Sequence, residues 1–289
     1  MKNLWVKIFA FASRRDGGDL LRIIKIKFIK SSFMAILVAS MLITPSLGFG
    51  ISGAVFKEEV SPGQKLVHEI TVSSSEDDMP LNMTAEVYGF AMNQGGANIE
   101  LSPEEDIGSN SARPFLSVEP KSFTLDPGER ERLLLTGTVP EDVGSGGRYA
   151  LVTITTAPEE AGSVMVSTAI QVLVLLTIKD SELFRSGKIT DLAVSMNDDN
   201  VSVDLVFENM GNVHYKPLVG AALKGDDGEI LAYLEPTQIK SSILPTNSRL
   251  CRVELVSDGD LLPGNYTLEA TVTLEDGTVL DVRKTTFQV

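Results

Sequence analysis

The chain has 289 residues, with 25 Lys and Arg against 39 Asp and Glu, a formal net charge of −14 and a hydrophobic fraction of 43%. That acidity repels phosphate backbones and argues against nucleic acid as a partner. The single cysteine, Cys251, excludes an intramolecular disulfide, and with only two histidines the chain lacks the three or four clustered ligands that an ordinary zinc site needs.

Residues 1–54 differ from the rest of the chain. Eight Lys or Arg stand there against Asp16 and Asp19, followed by FMAILVASMLI from Phe33 to Ile43, then Thr44, Pro45 and the small-residue stretch SLGFGISGA. A basic lead, a short apolar core and a small-residue end make a secretory signal peptide, with cleavage after Gly50 or Ala54. The rival reading is an N-terminal membrane anchor, for which the run falls short of the about 20 apolar residues of a span. Membrane contact is expected only if this leader stays uncleaved. Without residues 1–54, Lys and Arg fall to 17 and Asp and Glu to 37, a net charge of about −20.

Past the leader, alternation with period two dominates and predicts strands with one buried face. Leu66, His68, Ile70 and Val72 share a face, as do Val201, Val203, Leu205 and Phe207, and again Leu268, Ala270, Val272 and Leu274. Turn signals separate these runs: SPGQ at Ser61, DPGE at Asp126, NMGN at Asn209, GDDGE at Gly225 and LPGN at Leu262. No long helical pattern competes outside the leader, so the fold class is all-β, and short strands at this spacing favour sandwiches or barrels. Pro127 lies 22 residues before Tyr149 and Pro245 lies 21 before Tyr266, so each half reads as turn, strand, loop and Gly-x-Tyr strand. Two copies of one domain are expected, at 55–180 and 187–289, divided in KDSELFRSGK at residues 179–188. Pro127 and Gly128 predict a type II turn, after which Leu133, Leu135 and Val139 line one face.

Residues able to carry chemistry are few. His68 falls on an inward strand face and reads as a packed, hydrogen-bonded histidine; His214 follows NMGN and reads as an exposed loop residue. No Gly-x-Ser-x-Gly elbow supplies a nucleophile for a histidine-dependent triad. Cys251 in RLCRVEL reads as a small apolar filler, and Asp77-Asp78, Asp198-Asp199 and Asp226-Asp227 read as solvated turns without calcium-loop spacing. No catalytic residue, metal or other cofactor is expected. Asn82, Asn200 and Asn265 are Asn-x-Thr or Asn-x-Ser candidates for glycosylation in an exported chain.

PFLSVEPKSFTLDPGERERLLL, Pro114 to Leu135, resembles the first-domain signature of PapD-like periplasmic pilus-assembly chaperones. VPEDVGSGGRYALVTI, Val139 to Ile154, is similar to surface proteins of the WxL-interacting type, and FENMGNVHYKP, GEILAYL and LLPGNY look like the adjoining domain of that group. The resemblance implies two tandem immunoglobulin-like β-sandwiches, with the last strand of the first offered to a client by strand addition. The matching stretch is Val164 to Lys179, with Val164, Val166, Thr168, Ile170, Val172 and Val174 as the partner-binding edge. The plainer reading of that run is a buried strand passing from one domain into the next. The resemblance also implies a basic pair in the cleft for a client's terminal carboxylate, for which Lys57 and Lys179 are the counterparts. The function expected is a non-enzymatic, chaperone-like protein-binding or assembly module of the cell envelope, periplasmic, surface-bound or secreted. Its partner would be a pilin-like or other surface protein. The alternative is a passive structural or adhesive component contacting wall polysaccharide.

Overall fold

The computed structural model describes residues 49–161, 164–197, 200–256 and 261–289. Most of the expected leader, residues 1–48, and the Asp198-Asp199 turn lie outside the described residues. Among the described residues no helix is long and apolar enough to cross a membrane.

The first sandwich runs through β1 (Gly50–Ser52), β2 (Val55–Val60), β3 (Lys65–Ser73), β4 (Leu81–Met92), β5 (Asn98–Leu101), β6 (Leu116–Glu119), β7 (Ser122–Leu125), β8 (Arg130–Thr138), β9 (Gly147–Thr156), β10 (Glu159–Ala161), β11 (Val164–Val166) and β12 (Ala169–Ile178). One sheet has the order β1-β3-β8-β6, and the facing sheet is β2-β12-β9-β4 with β5 and β7 both on the far edge of β4. The alternation read from the sequence explains the packing: Leu66, Ile70 and Val72 point from β3 into a core shared with Leu133, Leu135, Val152, Val172 and Val174. Gly128 has φ +74 and Glu129 donates to Asp126 O at 3.0 Å, the expected turn. β1 pairs with β3, whereas β2 pairs in parallel with β12 in the other sheet. The chain crosses between sheets at Gly53, where φ is +76 and a Cβ would lie 2.3 Å from Glu69 O, so only glycine fits.

The second sandwich comprises β13 (Gly187–Asn197), β14 (Asn200–Asn209), β15 (Leu218–Lys224), β16 (Ile230–Gln238), β17 (Ser248–Val256), β18 (Asn265–Thr273) and β19 (Val279–Gln288). Its sheets are β13-β14-β17 and β16-β15-β18-β19. Val201, Val203, Leu205 and Phe207 of β14 and Leu268, Ala270 and Val272 of β18 fill the space between them. The fold is thus two tandem immunoglobulin-like β-sandwiches, as the alternation and turns require.

A separate apolar cluster joins the halves. Phe90, Tyr149 and Leu151 on the outer face of the β9–β4 sheet meet Leu244 from the second sandwich, with Leu173 and Leu175 packed alongside. This is why β9 is buried on both faces. Around it, Met92 N–H donates to Asn247 Oδ1 at 2.6 Å, Leu250 N–H to Gln94 O at 2.9 Å and Gly147 N–H to Asn212 O at 2.8 Å. Phe49–Val289 accordingly forms one compact unit.

Candidate partner-binding edge and interdomain cleft

β12 carries most of the expected edge. Register with β9 pairs Ile170 with Ile154, Val172 with Val152 and Val174 with Ala150, while β2 covers the opposite side only from Leu173 to Ile178. Leu173 N–H donates to Ala54 O at 3.0 Å, so the odd-numbered residues of β12 direct their backbone groups away from β9. Ala169 and Gln171, beyond the end of β2, therefore present N–H and C=O groups that are unpaired among the described residues. The side chain of Gln171 is held on the outer face: Nε2 donates to Glu100 Oε1 at 2.8 Å, and Asn98 Nδ2 donates to Gln171 Oε1 at 3.1 Å.

The residues named from the sequence do not form one continuous edge. Val172 and Val174 are fully buried core residues, and Ile170 is half-buried. Val166 belongs to β11, which pairs with β10, and Val166 and Thr168 are exposed; the side chain of Val164 lies outside the described residues. The run breaks at Ser167, whose Oγ donates to Thr156 O at 2.6 Å and turns the chain out of the sheet. Leu173–Ile178 is thus interior strand, while Ala169–Val172 has no strand beside it on the β2 side among the described residues.

Tyr149, Leu175 and Lys57 form one row across β9, β12 and β2. Below this row opens a cavity of about 440 Å³ between the sandwiches, lined by Lys57, Arg185, His214 and Lys216 together with Glu275 and Asp276. Lys179 is not part of it. It follows the end of β12, four positions beyond Leu175, and its backbone N–H donates to Val60 O at 2.8 Å. The structure therefore does not bring Lys57 and Lys179 together in the cleft; Arg185 and Lys216 stand with Lys57 instead. The sequence offered no sign of this, because the two residues come from the linker and the second sandwich.

His214 departs from expectation. Rather than lying exposed on a loop, it is half-buried against Tyr149, with ring centroids 5.5 Å apart and planes at 84°. Its backbone N–H donates to Tyr149 Oη at 2.8 Å, and its Nδ1 lies 3.1 Å from the same oxygen. Burial, then Lys57 and Arg185, push its pKa down to about 4, so the ring is neutral at neutral pH. Burial holds the Tyr149 hydroxyl well above its ordinary pKa. The hydroxyl binds not its own neighbourhood but a residue 65 positions on, whereas Tyr266 donates to Leu262 O, four residues upstream, at 2.5 Å.

The remaining candidates are placed simply. His68 stacks on Phe56 at 4.6 Å and bonds Gly53 O through Nε2 at 2.8 Å, a packed histidine. Cys251 is buried, and that burial pushes its thiol up to about 11. Asn82 is exposed on β4, where its Oδ1 accepts from Thr124 at 3.0 Å, and Asn265 is exposed at the start of β18. The side chain of Asn200 lies outside the described residues.

No family model matches the chain, and no curated protein matches it. Among solved structures it is similar to the Salmonella enterica SafA pilin in complex with the SafB chaperone, at 12% identity, covering 84% of this chain and 98% of that one, with a TM-score of 0.36. The class 5 fimbriae chaperone CfaA gives 14% identity, 83% and 98% coverage and 0.38. A family 123 glycoside hydrolase from Clostridium perfringens gives 11% identity, 46% and 27% coverage and 0.30. The strands and their order define the fold.

Proposed function

We propose that the chain is a non-enzymatic protein-binding or assembly module of the cell envelope, acting outside the cytoplasm and pairing with an extended segment of a surface-protein partner. The observation that carries this reading is the open end of β12, where Ala169 and Gln171 turn their backbone groups outward beyond the end of β2. An unpaired edge of this kind accepts a strand through main-chain hydrogen bonds. The cleft supports the same reading. Lys57, Arg185 and Lys216 have no ion-pair partner within 4 Å among the described residues, and together they suit an anionic group at the end of the paired segment. The limits 187–289 for the second domain and the glycosylation of Asn82 and Asn265 belong to this proposal as well, whereas the limits 55–180 leave out β1, which pairs with β3 in the first sandwich.

Ala169→Pro tests it. Proline removes the outward N–H at an exposed position and leaves the core untouched. The variant should unfold at the wild-type denaturant midpoint yet lose the protection that envelope extract gives the Gln171 amide in hydrogen exchange. If the extract protects neither protein at residues 169–171, the edge takes no partner. Binding to isolated wall polysaccharide by both proteins would instead favour a structural or adhesive role.

A further inference from the structure

The contact between Tyr149 and His214 fixes which ring nitrogen carries the proton. The backbone N–H of His214 already donates to Tyr149 Oη, and among the described residues no acceptor other than Nδ1 bonds that hydroxyl. The hydroxyl proton therefore goes to Nδ1, and a neutral imidazole accepting at Nδ1 carries its own proton on Nε2. No hydrogen bond reaches Nε2 among the described residues. Nor is it one of the buried atoms lacking a partner there, where Arg249 Nε stands alone. Nε2–H accordingly meets the solvent of the cleft that His214 lines.

We propose that His214 is a further anion-holding residue of the cleft, its Nε2–H joining Lys57, Arg185 and Lys216 around one carboxylate of the partner. This rests on the cleft reading above and adds to it a residue of the second sandwich and a dependence on pH. The charged and titratable groups facing the ring are Lys57 from β2, Arg185 from the linker, Tyr149 from β9, Tyr215 and Lys216 beside it in the chain, and Glu275 and Asp276 from the β18–β19 turn. Burial, then Lys57 and Arg185, disfavour the charged ring. A bound carboxylate opposes that effect, so binding raises the affinity of Nε2-protonated His214 for a second proton. By linkage, affinity rises as pH falls. For a rise of about two units on binding, the gain from pH 7.5 to pH 5 is about tenfold.

The chain has only two histidines, which makes the test direct. Nitrogen-15 spectra of the purified full chain should show His214 as the Nε2–H form. N-acetyl-trialanine with a free carboxylate should shift the His214 signals and leave those of His68 in place, and its C-terminal amide should shift neither. Affinity for the acid should rise about tenfold from pH 7.5 to pH 5. His214→Gln, which keeps an N–H donor but does not titrate, should bind as wild type at pH 7.5 and lose the rise; His214→Ala should bind weakly at both. An Nδ1–H form, or an equal rise in His214→Gln, overturns the proposal. If Lys57→Gln abolishes binding and His214→Ala does not, the cleft reading stands and the role of His214 falls. If the acid binds no better than the amide, both fall.

Discussion

Gly147 and Tyr149 show how a two-residue spacing can be dictated by one close approach. A Cβ on Gly147 would lie 1.8 Å from Tyr149 Oη, because the ring folds back along its own strand over the glycine. Gly147→Ala should push the ring off and break both bonds to His214. Tyr149→Phe isolates the same loss: it leaves the half-buried N–H and Nδ1 of His214 unpartnered, at a cost of about 1–3 kcal/mol in chemical denaturation. His214 itself makes stability depend on pH. Its folded pKa, about 4, lies below the unfolded value of 6.5, so the unfolded chain binds more protons between those limits. Stability from this group is full above about pH 6.5 and is lost as pH falls toward 4, on the order of 3 kcal/mol. His214→Gln should flatten that part of the stability profile. At Thr246, an exposed β-branched residue sits at φ +64. Replacing it with Gly should raise the denaturation midpoint, since the left-handed region costs a Cβ-bearing residue about 1–2 kcal/mol.

At the scale of elements, β12 is two strands in one. Val172→Asp places a charge in the core between the sheets and should unfold the protein, so it says nothing about a partner, whereas Ala169→Pro spares the core. The alternation of Val164 to Ile178 was legible in the sequence, and so was the burial of Val172 and Val174. The break at Ser167 and the cover of β2 over Leu173–Ile178 were not, because a parallel neighbour more than a hundred residues away leaves no mark on the local pattern. β1 makes a similar point. It pairs Gly50, Ile51 and Ser52 with Ser73, Val72 and Thr71, and Phe49 and Ile51 pack on the core. A chain beginning at Val55 should be about 2 kcal/mol less stable in urea than one beginning at Phe49, the partial burial of two large apolar side chains.

At the scale of the whole molecule, Leu244 is the wedge that makes two sandwiches one unit. It is 2% exposed and packs with Phe90, Tyr149 and Leu151, while its neighbour Asn247 receives the Met92 N–H. Wild-type calorimetry should show one unfolding transition. Leu244→Ala should remove about 2–5 kcal/mol and separate the transition into two, because the core within each sandwich is left whole. A single unchanged transition in that variant would mean that the strands, not the wedge, couple the halves.

Local patterning alone dictates an all-β chain, its duplicated turn–strand–loop–Gly-x-Tyr phrase, the inward faces of β3, β14 and β18 and the packed role of His68. Those features depend on alternation within a few residues and on turn residues whose φ is limited by sterics. Long-range packing is what brings Tyr149 to His214, places Arg185 and Lys216 rather than Lys179 beside Lys57, and covers half of β12. Each of these joins residues remote in the chain, and which remote residues meet is set by how sheets stack and where a linker is pinned, energies to which no single stretch of sequence answers.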